Sequence, residues 1–392
     1  MNVVTKELSF DNTEVAFAYK KSSDLKRAAW LFSFINNNLI TSLGTRLTPL
    51  AFKLGLPIHG VVRATIFRQF CGGETLEECT VTTMKLAEYD VETILDYGVE
   101  AKETDEEFEK TVNEITNAIS FAAQNHHVPF VSIKITGIAP FALLEKHGNK
   151  EILTAVEKIE WNKVLDRMYR VCHHANHASI GLMVDAEETW IQQPVDELAM
   201  EMMKEFNKDK PIVYNTAQLY RKDRLEFVKK SFNEARAGNF ILGMKLVRGA
   251  YMEKERKRSL QKKYMPLIQP DKNATDHDYN STVEFCMEHI DQIGFCIASH
   301  NEYSNRLGTE LAHQNGIPAS HPHLHFSQLY GMSDNITFNL AEAGFNTSKY
   351  VPYGPVKDVV PYLMRRAQEN TSVGGMSSRE LELIRKEIKR RK

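Results

Sequence analysis

Two arginines stand side by side near the end of the chain, Arg365 and Arg366 in YLMRRAQEN, and a lysine, Lys134, interrupts the otherwise apolar run VPFVSIKITG. Guanidinium groups grip a carboxylate through paired hydrogen bonds, and an ammonium adds a point charge, so these residues together could hold a small organic acid. Adjacent helical residues project about 100° apart, so both arginines address one anion only where their helix lies across the place it binds. Lys134 at a buried strand end is costly to desolvate unless it meets an anion, which it could share with the arginines. The plainer alternative for the pair is a solvated basic face, with Glu369 four residues after Arg365 as an ordinary helix partner.

Other polar residues sit at the ends of apolar runs: Asp185 in IGLMVDAEE, Gln218 in IVYNTAQLY, Lys245 and Arg248 in FILGMKLVRGAY, His300 in FCIASHN and Tyr350 in NTSKYVPYG. Asp185 in such a place serves as base, orienter or cation partner, or is a plain loop carboxylate. His300 reads equally as a ligand-facing group and as a satisfied core histidine. Strand alternation puts Lys245 and Val247 on one face and Leu246 and Arg248 on the other, before a turn at Gly249 where backbone can approach a phosphate or cofactor.

Three metal signals are weaker. His321, His323 and His325 alternate, as in barrel metal hydrolases, but Pro322 interrupts the strand start and the motif comes late in the chain. A metal-dependent (β/α)8 hydrolase using this strand is the alternative function. His173 and His177 fall at a helix end, where histidine suits the dipole, with no carboxylate between them. DKNATD, from Asp271, has Asp276 where a calcium loop needs glycine. No metal is expected.

These residues need a scaffold, and the spacing supplies one. From Leu25 to Phe70 apolar residues recur at helical intervals, an N-terminal helical arm. After Met84, eight short strand-like runs alternate with amphipathic helices to about Asn370, each run too apolar for a half-wet antiparallel sheet. Thr104 with Glu107 forms a capping box ahead of Phe108, Val112, Ile115 and Ile119, and Gly238 is read as the left-handed stop of the helix before the fifth run. An α/β (β/α)8 TIM-type barrel follows, rather than an open doubly wound sheet, because neither GxGxxG nor GxxxxGK[ST] occurs. In such a barrel the strands' carboxyl ends carry the chemistry. The expected division is an arm over 1–85, the barrel over 86–375 and a basic tail over 376–392.

The 392 residues carry 49 Lys plus Arg against 51 Asp plus Glu, a net charge of −2, so no nucleic-acid partner is expected. At 42% hydrophobic residues a sizeable core can form. Five cysteines without a CxxC pair read as buried thiols. No apolar run reaches the ~18 residues needed to span a bilayer, and the first residues lack a secretory pattern, so the expected location is the cytosol, with peripheral contact at the inner face of a membrane. MEKERKRSLQKK after Tyr251 is expected to be a solvated loop. The tail ELELIRKEIKRRK sets Leu381, Ile384 and Ile388 against basic residues, as in a capping helix or an anchor to an anionic membrane.

KITG at Lys134, D-A-E at Asp185, YNTAQLY, KLVRGAY, ASHN, QLYGM, and YVPYGP followed by YLMRRAQEN resemble, in order and approximate spacing, the flavin-dependent proline dehydrogenase family from about Asp96 to Asn370. The resemblance implies a (β/α)8 barrel that binds FAD without a Rossmann motif, its last helix lying over the barrel mouth. It implies that Arg365, Arg366 and Lys134 hold the carboxylate of L-proline, that Tyr362 packs on the substrate, and that Leu329 lines an apolar wall. Tyr350 is similar to the tyrosine beside the ring carbon that bears hydroxyl in hydroxyproline, so its bulk implies proline as substrate. Asp185 resembles a carboxylate near flavin and substrate, Tyr251 the tyrosine behind the flavin ring, and Glu100 the acid that pairs with the first arginine. Gln218, Lys245, Val247, Arg248, Gly249, Ala250, Thr275, His300 and Glu369 fall at FAD-contacting positions. Many relatives read R-L-V-K where this chain has Lys245 to Arg248, which leaves open which cation reaches the flavin ring. The implied reaction is hydride transfer from proline C5 to FAD N5, giving Δ1-pyrroline-5-carboxylate. A membrane quinone is implied as oxidant, and a separate pyrroline-5-carboxylate dehydrogenase as the next enzyme.

Overall fold

Each of the eight apolar runs coincides or overlaps with a strand: β1 Val91–Tyr97, β2 Phe130–Ile133, β3 Gly181–Val184, β4 Val213–Gln218, β5 Leu242–Val247, β6 Ile293–Ala298, β7 Leu324–Leu329 and β8 Thr347–Tyr353. The computed structural model describes residues 8–99, 102–372 and 376–392. The strands hydrogen-bond in chain order into a closed barrel. The pairs β1–β8, β2–β3, β3–β4, β4–β5 and β5–β6 are parallel, with Leu95 opposite Val351, Ile133 opposite Val184 and Thr216 opposite Lys245. β2 to β5 are shorter than the apolar runs that hold them, which sets the positions of the polar residues. β2 and β3 end at Ile133 and Val184, so Lys134 and Asp185 are each the first residue beyond their strand. Gln218 closes β4, Lys245 lies inside β5, and Arg248 is the first residue past it.

The chain packs as two compact units, Glu100–Phe326 and Met1–Val99 with Ser327–Lys392. In the first, the helix Asp105–Ala123 opens with the expected capping box: the Glu107 N–H donates to Thr104 Oγ1 at 3.3 Å, and the Thr104 N–H to the Glu107 carboxylate at 3.3 Å. Phe108, Val112, Ile115 and Ile119 are buried on one face of it, each contributing about 2 kcal/mol of hydrophobic stabilisation. Two expectations are corrected in this unit. The helix Arg224–Gly238 contains Gly238, and the left-handed residue is Asn239, with φ of 51°; asparagine tolerates that conformation through local hydrogen bonding. The basic run after Tyr251 is a helix, Met252–Lys262, not a loop. Only Glu255 and Ser259, four residues apart, are buried on it, a contact line too narrow and polar to show as hydrophobic periodicity.

The second unit contains the arm and the tail. Leu25, Phe32 and Phe70 from the arm form one apolar core with Val359 and Leu363 and with Leu381 and Ile384 from the tail helix Met376–Arg390. Ile388 is packed against the same core. The tail's apolar face is thus occupied by the arm and is not available to a membrane. Among the described residues no helix is long and apolar enough to cross a bilayer. All five cysteines are free and buried.

Candidate active site

In the unit Glu100–Phe326, the ends of β2, β3 and β5 bring three charged side chains together. Lys134 Nζ lies 3.2 Å from one oxygen of Asp185, and Lys245 donates a hydrogen bond to the other. Their side chains are 8%, 13% and 6% exposed. Burying an ammonium is costly without a partner of opposite charge, and Asp185 offsets part of that cost for both lysines. One Asp185 oxygen faces each ammonium group.

Next to this trio lies a second carboxylate that sequence reasoning passed over. Glu187, 3% exposed, accepts from Thr136 twice: from its N–H at 3.1 Å and from its hydroxyl at 2.5 Å. The Glu187 N–H donates to Gln192 Oε1 at 3.0 Å, and its carbonyl accepts from Gln218 Nε2 at 2.8 Å. The only sequence signal was its place in the D-A-E motif.

The two basic residues of KLVRGAY part company. Lys245 meets Asp185, whereas Arg248 donates to Asp276 at 2.7 Å, Ser299 at 2.7 Å and Ser304 at 2.9 Å, with its guanidinium 4.3 Å above the Tyr279 ring. Burial pushes the Asp276 carboxyl up, but Lys272 and Arg248 together hold it below its usual value. Gly249 has φ of 117°, and a Cβ there would lie 1.9 Å from the Tyr220 ring. No other residue fits that turn without displacing Tyr220. Val247 is half-buried, Ala250 exposed and His300 half-buried. Tyr251 is buried just before the helix Met252–Lys262, with Lys254 Nζ 5.1 Å from its ring. Thr275 is buried in the helix Lys272–Glu288, its hydroxyl donating to the Asp271 carbonyl at 3.1 Å.

The other unit carries the remaining candidates. Tyr350, in β8, is buried, and its carbonyl accepts the Tyr330 N–H at 2.9 Å. Leu329, the last residue of β7, packs against the core that contains Tyr362. On the helix Val356–Ser372, Arg366 is 8% exposed with its guanidinium 5.2 Å from the Tyr362 ring one turn earlier, while Arg365 is half-buried. Adjacent arginines therefore differ in burial, as their angular separation requires. Glu100 and the Glu369 side chain lie outside the described residues.

The alternating histidines fail as a metal site for a positional reason. They sit before β7 and at its first turn, the amino end of the strand, and a barrel does its chemistry at the other end. His323 Nδ1 lies 2.7 Å from the Ile290 carbonyl and His325 Nε2 3.0 Å from that of Pro322. Burial pushes His325 down to about 4, so it is neutral at physiological pH. Among the described residues no group of three or more His, Cys, Asp or Glu is placed to hold a metal.

An eight-stranded barrel with a lysine-aspartate cluster at its strand ends defines a (β/α)8 enzyme of small-molecule chemistry. The family profile described as "Proline dehydrogenase" matches residues 79–379. Over its whole length the chain is 32% identical to proline dehydrogenase 1, mitochondrial, of Dictyostelium discoideum, covering 76% of that protein. It is 34% identical to the carbapenem antibiotics biosynthesis protein CarD of Pectobacterium carotovorum, over 82% of this chain and 83% of that one. The solved structure of proline utilization A from Bdellovibrio bacteriovorus superposes on 94% of the chain with a TM-score of 0.74 at 21% identity, and this chain spans 40% of the length of that one. The chain belongs to the proline dehydrogenase family. It is an oxidoreductase of proline with a flavin cofactor, and the hydrolase alternative is set aside. The expectation of a cytosolic location is also corrected. The Dictyostelium relative and matched proline dehydrogenases of Arabidopsis thaliana, Drosophila melanogaster and Homo sapiens are named as mitochondrial, which points away from the cytosol.

Proposed function

We propose that this chain oxidises L-proline to Δ1-pyrroline-5-carboxylate with FAD as its flavin. The observation that carries the reading is Lys134 held by Asp185 at the end of β2, in a chain whose family acts on proline. Lys134 supplies one cation for the substrate carboxylate, and Arg365 and Arg366 supply the others. Three cations on one carboxylate fix the register of the ring, which places C5 and excludes competing orientations. Tyr350 and Leu329 furnish the ring's apolar surroundings, and Tyr362 packs on it.

The donor set on and just past β4, β5 and β6 suits a phosphate-bearing cofactor: Gln218, Lys245, Arg248 and His300 are all cationic or hydrogen-bonding, and Gly249 and Ala250 are exposed where a ligand can lie on their backbone. Val247, Tyr251, Thr275 and Glu369 complete the proposed FAD contacts, and Glu100 pairs with Arg365. When bound, FAD accepts the hydride that leaves proline C5. Asp185, engaged by two lysines, orients them, and the amine proton leaves to solvent because the cationic pocket already disfavours a protonated ring nitrogen.

A quinone reoxidises the enzyme at a membrane surface. The arm supports that contact: Leu25 to Gly73 contains no Asp or Glu, and Trp30, Leu50, Leu54, Leu56 and Val61 are exposed along it, a composition suited to an anionic bilayer. The product passes to a separate dehydrogenase. The test is the visible absorption spectrum of the purified protein under anaerobic conditions. A flavin spectrum that bleaches on addition of L-proline supports the reading; a bound flavin that proline leaves oxidised overturns it.

A further inference from the structure

We infer that Glu187 is a positioning residue for Lys134. The inference rests on the reading of Lys134 as a cation for the substrate carboxylate. Besides the backbone bond from the Asp185 N–H to the Ile133 carbonyl at 2.9 Å, side chains join the segments after β2 and β3 with the same two-residue spacing: Asp185 meets Lys134, and Glu187 meets Thr136. The two joints differ in kind. The first is an ion pair to a long, flexible side chain, which an arriving carboxylate competes for and loosens. The second is made to the backbone N–H and the short hydroxyl of Thr136, and a substrate carboxylate does not displace it.

Glu187 therefore keeps the Lys134 backbone in place at the moment its Asp185 pair is exchanged for substrate. Its own position is set from behind. The Glu187 N–H is held by Gln192, whose amide donates to Asp196 at 2.9 Å, and Asp196 is fixed by Asn215 at 2.9 Å and by Arg224 at 2.6 Å. The Glu187 carbonyl also orients Gln218, so one residue aligns three successive loop bases. A carboxylate suits the place because both oxygens accept and its charge strengthens both bonds; an amide would meet the Thr136 N–H and hydroxyl only as a neutral partner, with the weaker bonds that implies.

The test is a double-mutant cycle on the flavin-loaded full chain, read as KM for proline and as the inhibition constant of cyclopentanecarboxylate, a ring acid with no amine to oxidise. Glu187→Gln and Thr136→Val are each expected to raise both constants about tenfold with kcat changed less than about twofold, the size of a lost hydrogen bond to a charged acceptor. In a Lys134→Met background the same substitutions are expected to change them less than about twofold. Equal effects in both backgrounds would mean Glu187 only supports the fold, and would overturn the inference while leaving Lys134 in its role. No effect of Glu187→Gln or Thr136→Val where Lys134→Met has one would overturn it equally. If Lys134→Met itself leaves both constants unchanged, the carboxylate reading fails, and the inference fails with it. Should Glu187→Gln not fold, Thr136→Val alone runs the cycle.

Discussion

Both units bury lysines against a carboxylate, with different consequences. In the unit that carries β2 to β6, Lys134 and Lys245 share Asp185 at strand ends, with side chains about a tenth exposed. In the other, Lys349 and Lys20 share Asp334, at 2.9 and 2.7 Å, and the Tyr19 hydroxyl donates to the same carboxylate at 2.9 Å. There the Asp334 and Lys349 side chains are fully buried, Lys349 also donates to the Met332 carbonyl at 2.5 Å, and Glu380 of the tail accepts the Ser333 N–H at 2.8 Å. The sealed cluster joins arm, β8 and tail, and its charges cancel, two lysines against Asp334 and Glu380, once Glu380 gives up its proton above about pH 7. At the strand ends all three side chains keep some exposure. A sealed cluster is closed to a ligand, whereas a cluster that keeps some exposure is open to one, and the role proposed for Lys134 depends on that difference.

The comparison breaks first at Lys349. Lys349→Met strips a fully buried aspartate of one partner, a change that costs about 3–5 kcal/mol. Chemical unfolding of the variant should show that loss, and a loss below about 1 kcal/mol would put the two clusters on the same footing. The next largest effect is in pH. Burial, reinforced by the charge on Asp334, pushes Glu380 from 4.5 up to about 7. Below pH 4.5 the folded and unfolded states both hold the proton. Between 4.5 and about 7 only the unfolded state releases it, so stability falls as pH rises through that window, by about 3 kcal/mol, and is level above it. Glu92, which burial also pushes to about 7, adds a decline of the same sign. Glu380→Gln should therefore remove only part of the slope. Melting temperatures from pH 5 to 8 measure it, and an unchanged slope in the variant would show that Glu380 titrates normally.

The sequence singled out the members of one cluster, though not their pairing, and none of the other. Lys134, Asp185 and Lys245 stood out because each is polar at the end of an apolar run, and the repeat of eight runs says which end faces the chemistry. Lys349 follows the same visual rule in NTSKYVPYG, yet its burial depends on Asp334 arriving from another segment, with Lys20 from the far end of the chain. Glu187 was hidden for the same reason, because its partner Thr136 lies 51 positions away and a pairing over that distance leaves no trace in one sequence. Short-range features were legible, as the Thr104 capping box shows. Where they misled, the cause was local and physical: the helix Met252–Lys262 buries too little to show a period, and Asn239 took the left-handed turn that Gly238 could also have made.

A third ion pair places a point between exposed and sealed. Arg248 and Asp276 are each 23% exposed, further into solvent than Lys134 with Asp185. If the cost of breaking a pair tracks its burial, Asp276→Asn should destabilise by about 1 kcal/mol or less, against several for Lys349→Met. The small cost should also have a sign in pH. Asp276 is held below 3.8, with Arg248 and Lys272 overcoming the effect of burial, so its contribution is present above that value and lost as pH falls below it. Wild type and Asp276→Asn should thus converge in melting temperature below about pH 3.8, and separate slightly above it. Arg248 keeps Ser299 and Ser304 in the variant, which is the second reason for the small effect. A loss as large as that of Lys349→Met would mean that the number of hydrogen bonds on the cation, and not its distance from water, ranks these pairs.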